Sequence, residues 1–257
     1  MRQFILFFTL SISLSSTAQD LGLPQKSPQA SVSYTIGLTQ IDIEYSSPAV
    51  NERKLWGEVV PYNEVWRAGA NKATTIEFST DINIEGTVID KGKYSFFVIP
   101  KGGRESKWTI VFNKQHDQWG AYRYDASLDA ARIEVKPQFK TVSEERLTYS
   151  IHDQAVDKGY IKMAWGDLRL YMRFKVKVLE QALANVDAAL ETAPADEKWQ
   201  IYAYGAMFLL DNEWETRQAM EWADKSVTLS ENSWNTFLKA RAQAMSGDYS
   251  GAIQSAN

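Results

Sequence analysis

An antiparallel β-sandwich followed by an all-α helical-repeat module is the architecture the sequence predicts, and two hydrophobic periods carry that prediction. From Ser31 to Val176 apolar residues recur at every second position in short runs broken by turn residues, the pattern of strands with one face on a core and one in water. Beyond Val176 the period lengthens to 3.6 and Ala, Glu and Leu dominate, as in amphipathic helices. The predicted divisions are 1–18, 19–27 (a linker), 28–177 and 178–257.

Met1-Arg2 is a short positive start, Phe4 to Leu14 an apolar run, and Ser16-Thr17-Ala18 the small residues a signal peptidase requires. Export to the periplasm or the exterior is therefore expected, with cleavage after Ala18. The apolar run falls short of the roughly 20 residues a membrane span needs, and no later segment is a better candidate.

The first strands read as Val32/Tyr34/Ile36 and Ile41/Ile43/Tyr45. Asn51 to Pro61 breaks the alternation and reads as a long connection with a helical turn. Ile76/Phe78, Ile82/Ile84, Trp108/Ile110/Phe112, Ile133/Val135 and Leu147/Tyr149/Ile151 continue the pattern, with turns at Glu85-Gly86 and Lys91-Gly92. Tyr94 to Ile99 is apolar on both faces, which places it inside a sheet. The last strand runs Leu168/Leu170/Met172/Phe174/Val176, with Arg169, Arg173, Lys175 and Lys177 facing water. Nine or ten strands with no helical period between them favour an antiparallel sandwich over a parallel α/β fold.

In the tail, Ala182, Val186, Ala189 and Pro194 are spaced like the second helix of a tetratricopeptide repeat, and Ala219, Ala223, Ser226 and Glu231 repeat the spacing 37 residues later. Ala252 restarts it after Gly247-Asp248-Tyr249. The tail thus resembles tetratricopeptide arrays, which implies a surface for protein contact. Ser226 and Glu231 depart from the usual Ala and Pro, and the 37-residue interval implies an insertion near Asp211–Glu213. An irregular helical bundle is the competing reading. The predicted last helix leaves Ile253 to be covered by the sandwich, a partner or further chain.

Composition excludes several function classes. With no cysteine there are no disulfides, thiolate zinc sites, cysteine nucleophiles or lipidated N-terminal cysteine. Removing residues 1–18 leaves 27 basic against 32 acidic residues, a net charge of −5. That sign argues against nucleic acid or an anionic membrane as partner.

Only His116 and His152 can act as histidine bases or ligands, and neither has a metal-binding spacing. His116, in a loop beside Asp117 and Trp119, admits a catalytic role or a solvated loop position, of which the second is favoured. Asp42 and Glu44 leave one strand face about 7 Å apart, suiting either an acid/base pair or a charged surface. Asp125 and Asp129 admit the same two readings. No serine-hydrolase elbow or phosphate-cradling loop is present. No catalytic residue, metal site or cofactor is therefore assigned.

Val59 to Phe78 (VVPYNEVWRAGANKATTIEF), Gly92–Pro100 (GKYSFFVIP), Trp108–Lys114 (WTIVFNK), Gln118–Asp125 (QWGAYRYD) and Ala164–Leu170 (AWGDLRL) occur in one order. Together they make the chain, from about Pro28 to Val176, resemble the bacterial family of domain of unknown function 2911. The resemblance implies a fold and a compartment, with no established activity.

Within the first motif, Arg67 offers a planar fork of donors, Gly69 permits close approach and Asn71 both donates and accepts. Trp66, Arg67 and Asn71, with Trp119, Tyr124 and Asp125, are accordingly the candidate binding residues. Aromatic faces beside such polar groups suit a sugar ring. The competing reading makes the tryptophans core and pairs Arg67 with Glu44 or Glu77. A non-enzymatic envelope binding or scaffold protein is the first functional expectation, with a saccharide or envelope protein as partner. A glycan hydrolase using Asp42, Glu44 or Asp125, with Arg67 orienting substrate, is the alternative, and a purely structural role is a third.

Overall fold

The computed structural model describes residues 23–256; the expected signal peptide lies outside them. Period-2 segments pair antiparallel throughout. One sheet has the order β1-β2-β3-β6-β7-β8: β1 (Gln29–Ile36), β2 (Thr39–Ser46), β3 (Thr75–Phe78), β6 (Gly92–Ile99), β7 (Trp108–Asn113) and β8 (Asp129–Val135). The other has the order β5-β4-β10-β9: β4 (Ile82–Ile84), β5 (Thr87–Ile89), β9 (Gln138–Ala155) and β10 (Lys158–Val176). As expected from its two apolar faces, β6 lies between β3 and β7. Glu85 and Gly86 both take positive φ in the two-residue β4–β5 turn, matching the right-handed twist of a hairpin.

Alternate residues of both sheets meet in one core, including Ile43, Ile76, Phe96, Ile110 and Ile133 from the first and Leu147, Met163, Leu170 and Phe174 from the second. At its centre Trp56 packs edge-on to Trp66, Trp108 and Trp165, with ring centroids 4.9–5.9 Å apart. Such contacts add about 0.5–1.5 kcal/mol each beyond the area they bury.

Three local expectations are corrected. Asn51–Pro61 contains no helical turn: Asn51 and Glu52 take left-handed φ, and a bridge from Trp56 to Val60 closes a run of turns. The last strand is more than twice its expected length, because β10 passes through a bulge at Gly166. The inward residues change parity there, from Ile161, Met163 and Trp165 to Leu168 and Leu170, which hides the continuity from a strict alternation. Arg169 does not face water. Only 7% exposed, it donates to Gly166 O at 3.0 Å, Leu168 O at 2.8 Å and Val142 O at 3.0 Å, and pairs with Glu144. The bulge turns its side chain onto carbonyls left free by the broken ladder.

Five helices follow: α1 (Val178–Thr192), α2 (Lys198–Asp211), α3 (Thr216–Leu229), α4 (Ser233–Met245) and α5 (Tyr249–Ala256). Each packs on the next, and buried Ala203, Ala206, Ala219, Ala223 and Ala242 let the axes approach, so the tail is repeat-like. Ser226 departs from alanine for a reason. Its buried hydroxyl donates to Trp199 O at 2.8 Å and accepts from Asn235 Nδ2 at 3.0 Å, tying α2, α3 and α4. In the connection after α2, Glu213 and Glu215 are left-handed, and Trp214 packs with Phe208 against both the helical and the sandwich cores. Ile253 is 65% exposed. Among the described residues no helix is long and apolar enough to cross a membrane.

Candidate functional site

Because Ile41, Ile43, Ile76, Tyr94 and Phe96 point into the sandwich, Glu44, Thr75, Lys93 and Ser95 project from the outer face of the six-stranded sheet. Two sequence motifs fold over this face. The first begins at Trp66, which exchanges backbone hydrogen bonds with Val98 at 2.8 and 2.9 Å and so extends the sheet beside β6. Ala68 is then held left-handed, its carbonyl accepting from Tyr149 Oη at 2.7 Å and Thr74 Oγ1 at 2.9 Å. Burial raises the Tyr149 phenol well above its ordinary pKa, keeping it a donor. Gly69 has no room for a Cβ, which would meet Thr74 Oγ1 at 2.8 Å.

The second motif lies in the loop between β7 and β8. Asn113 Nδ2 donates to Asp125 O at 2.9 Å and Asp129 Oδ1 at 2.8 Å, closing the loop's base. Tyr124 Oη donates to Asp129 Oδ2 at 2.6 Å, and its ring packs on Phe97 at 5.2 Å. Burial, reinforced by Asp129, pushes the Tyr124 phenol up to about 12. The motifs then join through their backbones: Ala73 N donates to Gln118 O at 3.0 Å and Gly120 N to Asn71 O at 2.9 Å.

This junction lines a cleft of about 770 Å³ on the outer face, together with Gln25, Ser27 and Gln29. Trp119 stands there with 58% of its surface exposed. Asn71 lines the cleft too; its backbone is left-handed, and Nδ2 donates to Ser27 O and Ser46 Oγ, both at 3.3 Å, which ties the junction to those two segments. Lys93, 3.4 Å from Glu44 and 3.8 Å from Glu77, supplies a charged floor, and His116 and Asp117 lie at the side.

Of the six candidate residues, Asn71 and Trp119 meet in the cleft. Trp66 is 8% exposed, inside the core, with Nε1 donating to Gly69 O at 3.2 Å. Arg67 projects from the opposite side of the chain, half-buried, and burial lowers its pKa. Its Nε is buried with no hydrogen-bond partner, and no ion pair joins it to a described residue. The Glu44 and Glu77 carboxylates are held by Lys93 instead. Tyr124 and Asp125 build the loop: Asp125 Oδ1 accepts from Ser127 N at 2.9 Å and Oγ at 2.7 Å, bonds that hold its pKa low. Asp42 accepts from Gln40 Nε2.

Sequence reasoning missed Lys72, Thr75 and Lys93 in this cleft. Lys93 was accessible to it, as the outward residue before Tyr94 in the central strand. Lys72, Gln25, Ser27 and Gln29 gave no periodic signal. His152 stacks on Tyr160 at 4.8 Å and is hydrogen-bonded to Ser150, outside the cleft. The arrangement offers a ring face with donors and acceptors of both signs beside it, the chemistry of stacking and in-plane hydrogen bonding.

The motifs that build this site are also the ones a family model reads. A model described as a protein of unknown function, DUF2911, matches residues 27–176. The chain belongs to the DUF2911 family. The DUF2911 match ends where β10 ends, so it covers both sheets and every lining residue of the cleft but Gln25, and the five helices lie beyond it. No curated protein and no solved structure matches the chain.

Proposed function

We propose that this DUF2911 protein is an exported, non-enzymatic binding or scaffold protein of the cell envelope, and that its sandwich takes a neutral saccharide in the Trp119 cleft. The observation that carries this reading is the exposure of the Trp119 indole in a concave polar site. A soluble protein gains nothing in stability from an exposed indole, while a sugar ring gains a stacking face from it. Asn71, Thr75 and Lys93 supply polar groups nearby.

Binding accords with the geometry better than hydrolysis. A glycosidase needs one carboxylic acid held protonated and a second poised across the scissile bond. Here Glu44 is paired with Lys93, Asp42 accepts from Gln40, and Asp125 is spent on the turn at Ser127. The repeat-like tail takes the scaffold role. Its groove between α1 and α2, lined by Val186, Tyr204 and Phe208, suits an extended peptide of an envelope protein.

Thermal unfolding of residues 19–257 against soluble oligosaccharides of chitin, cellulose and xylan tests the reading, since a ligand of the native state alone raises the midpoint by mass action. A rise with one class supports it; no rise with any class overturns the saccharide assignment.

A further inference from the structure

A second cleft, of about 500 Å³, opens around the Gly166 bulge, where the Asn51–Pro61 connection approaches the turn after β6; it shares no lining residue with the Trp119 cleft. Its charge is opposite to that of the chain. Arg53, Lys54, Lys101 and Arg104 line it against one carboxylate, Asp167, in a protein whose formal net charge is −4. Asp167 is already engaged, accepting from Trp56 Nε1 at 3.3 Å.

The cations differ in what they have left to offer. Lys54 is paired with Glu58 at 2.9 Å and Lys101 with Glu134 at 3.8 Å. Neither arginine has an ion-pair partner among the described residues. Arg53 is positioned by its own backbone, donating from Nε to Val50 O at 2.9 Å and from Nη2 to Ala49 O at 2.6 Å, which leaves Nη1 uncommitted. The Arg104 guanidinium lies 5.6 Å from the centroid of the Phe139 ring and makes no hydrogen bond to a described residue. A guanidinium so held presents its donors as a fixed fork, the geometry that matches a carboxylate or phosphate. Tyr62, 37% exposed, gives the cleft an accessible aromatic ring, with Trp56 and Phe139 packed behind it.

We propose that this cleft binds a small oxyanion carried on a ring, a carboxylate or a phosphate ester, with Arg104 and Arg53 on the anion and Tyr62 beside the ring. The site is separate from the saccharide cleft, and the two fail separately.

Tryptophan fluorescence titration of the mature chain with glucuronate, glucose 6-phosphate and uncharged glucose tests it. Binding of either anion is expected, with glucose far weaker. Arg104→Gln, at an exposed position where folding is not at risk, should weaken anion binding roughly ten- to hundredfold, as loss of a charge-assisted hydrogen bond does. Trp119→Ala should leave it unchanged. Preference for one anion over the other identifies the group and supports the site. Glucose binding as tightly as its charged derivatives, unaltered affinity in Arg104→Gln, loss of anion binding in Trp119→Ala, or no anion binding at millimolar concentration would each overturn it.

Discussion

The rings of Trp66 and Trp165 lie 5.6 Å apart at an interplanar angle of 17°, so a residue of the Val59–Phe78 motif stacks on one from β10 in the opposite sheet. Trp66 exchanges backbone bonds with Val98 and is closed off from solvent. The motif is thus pinned from below by the core while its next turn builds the outer cleft. Trp66→Ala should lower unfolding free energy by about 3–5 kcal/mol in urea titration, as for other large-to-small core changes. A loss below 1 kcal/mol would remove Trp66 from the core.

Gly166 turns β10 through its bulge at φ +57°, and a Cβ there would stand 2.8 Å from Leu55 Cδ1. Gly166→Ala combines left-handed strain with overpacking and should cost about 2–4 kcal/mol. Chemical denaturation checks this, and Gly247→Ala, also at positive φ but with open space around its Cβ, should lose only the strain.

Tyr124 gives a pH signature. Its phenol is raised from about 10 to about 12 in the folded protein, so folding favours the neutral form. The stabilisation is complete below pH 10 and is lost as pH rises from 10 through 12. Tyr124→Phe should cost about 1 kcal/mol at neutral pH, through the lost bond to Asp129, and the gap to wild type should narrow above pH 10. Urea midpoints at pH 8, 10 and 11 read this directly; a gap that widens would contradict it.

Arg67 carries a buried Nε with no hydrogen-bond partner among the described residues. Replacing it by an apolar chain of similar length removes a desolvated polar group, so Arg67→Met should leave stability unchanged or raise it by up to about 1 kcal/mol. Thermal unfolding at low and high salt checks the change, and a loss above 1 kcal/mol would reveal a partner for the guanidinium.

The strands were legible because each buries one face: Ile41/Ile43, Trp108/Ile110/Phe112 and Leu168 to Val176 all point inward as their alternation requires. What defeated the alternation was backbone geometry. The Gly166 bulge divides one strand into two patterns, and Arg169 reads as outward because the carbonyls that bind it exist only once the bulge has formed. The site was half legible for a similar reason. The motif at 66–71 drew attention by composition, but alternation sends Trp66 inward and Arg67 outward, and only the fold shows that Asn71 receives Gly120 and hence Trp119. Tyr124 and Asp125 were selected by residue type, whereas their partners, Asp129 and Ser127, make them structural.

Isothermal titration of wild type and Trp119→Ala with chitin, cellulose and xylan oligosaccharides tests whether the Trp119 cleft binds a saccharide. Trp119 is exposed, so the variant should unfold within about 0.5 kcal/mol of wild type. Wild type should bind one saccharide class, and Trp119→Ala, equally stable, should lose that binding. Saccharide binding that survives Trp119→Ala, or no binding by wild type, would contradict the assignment of this cleft.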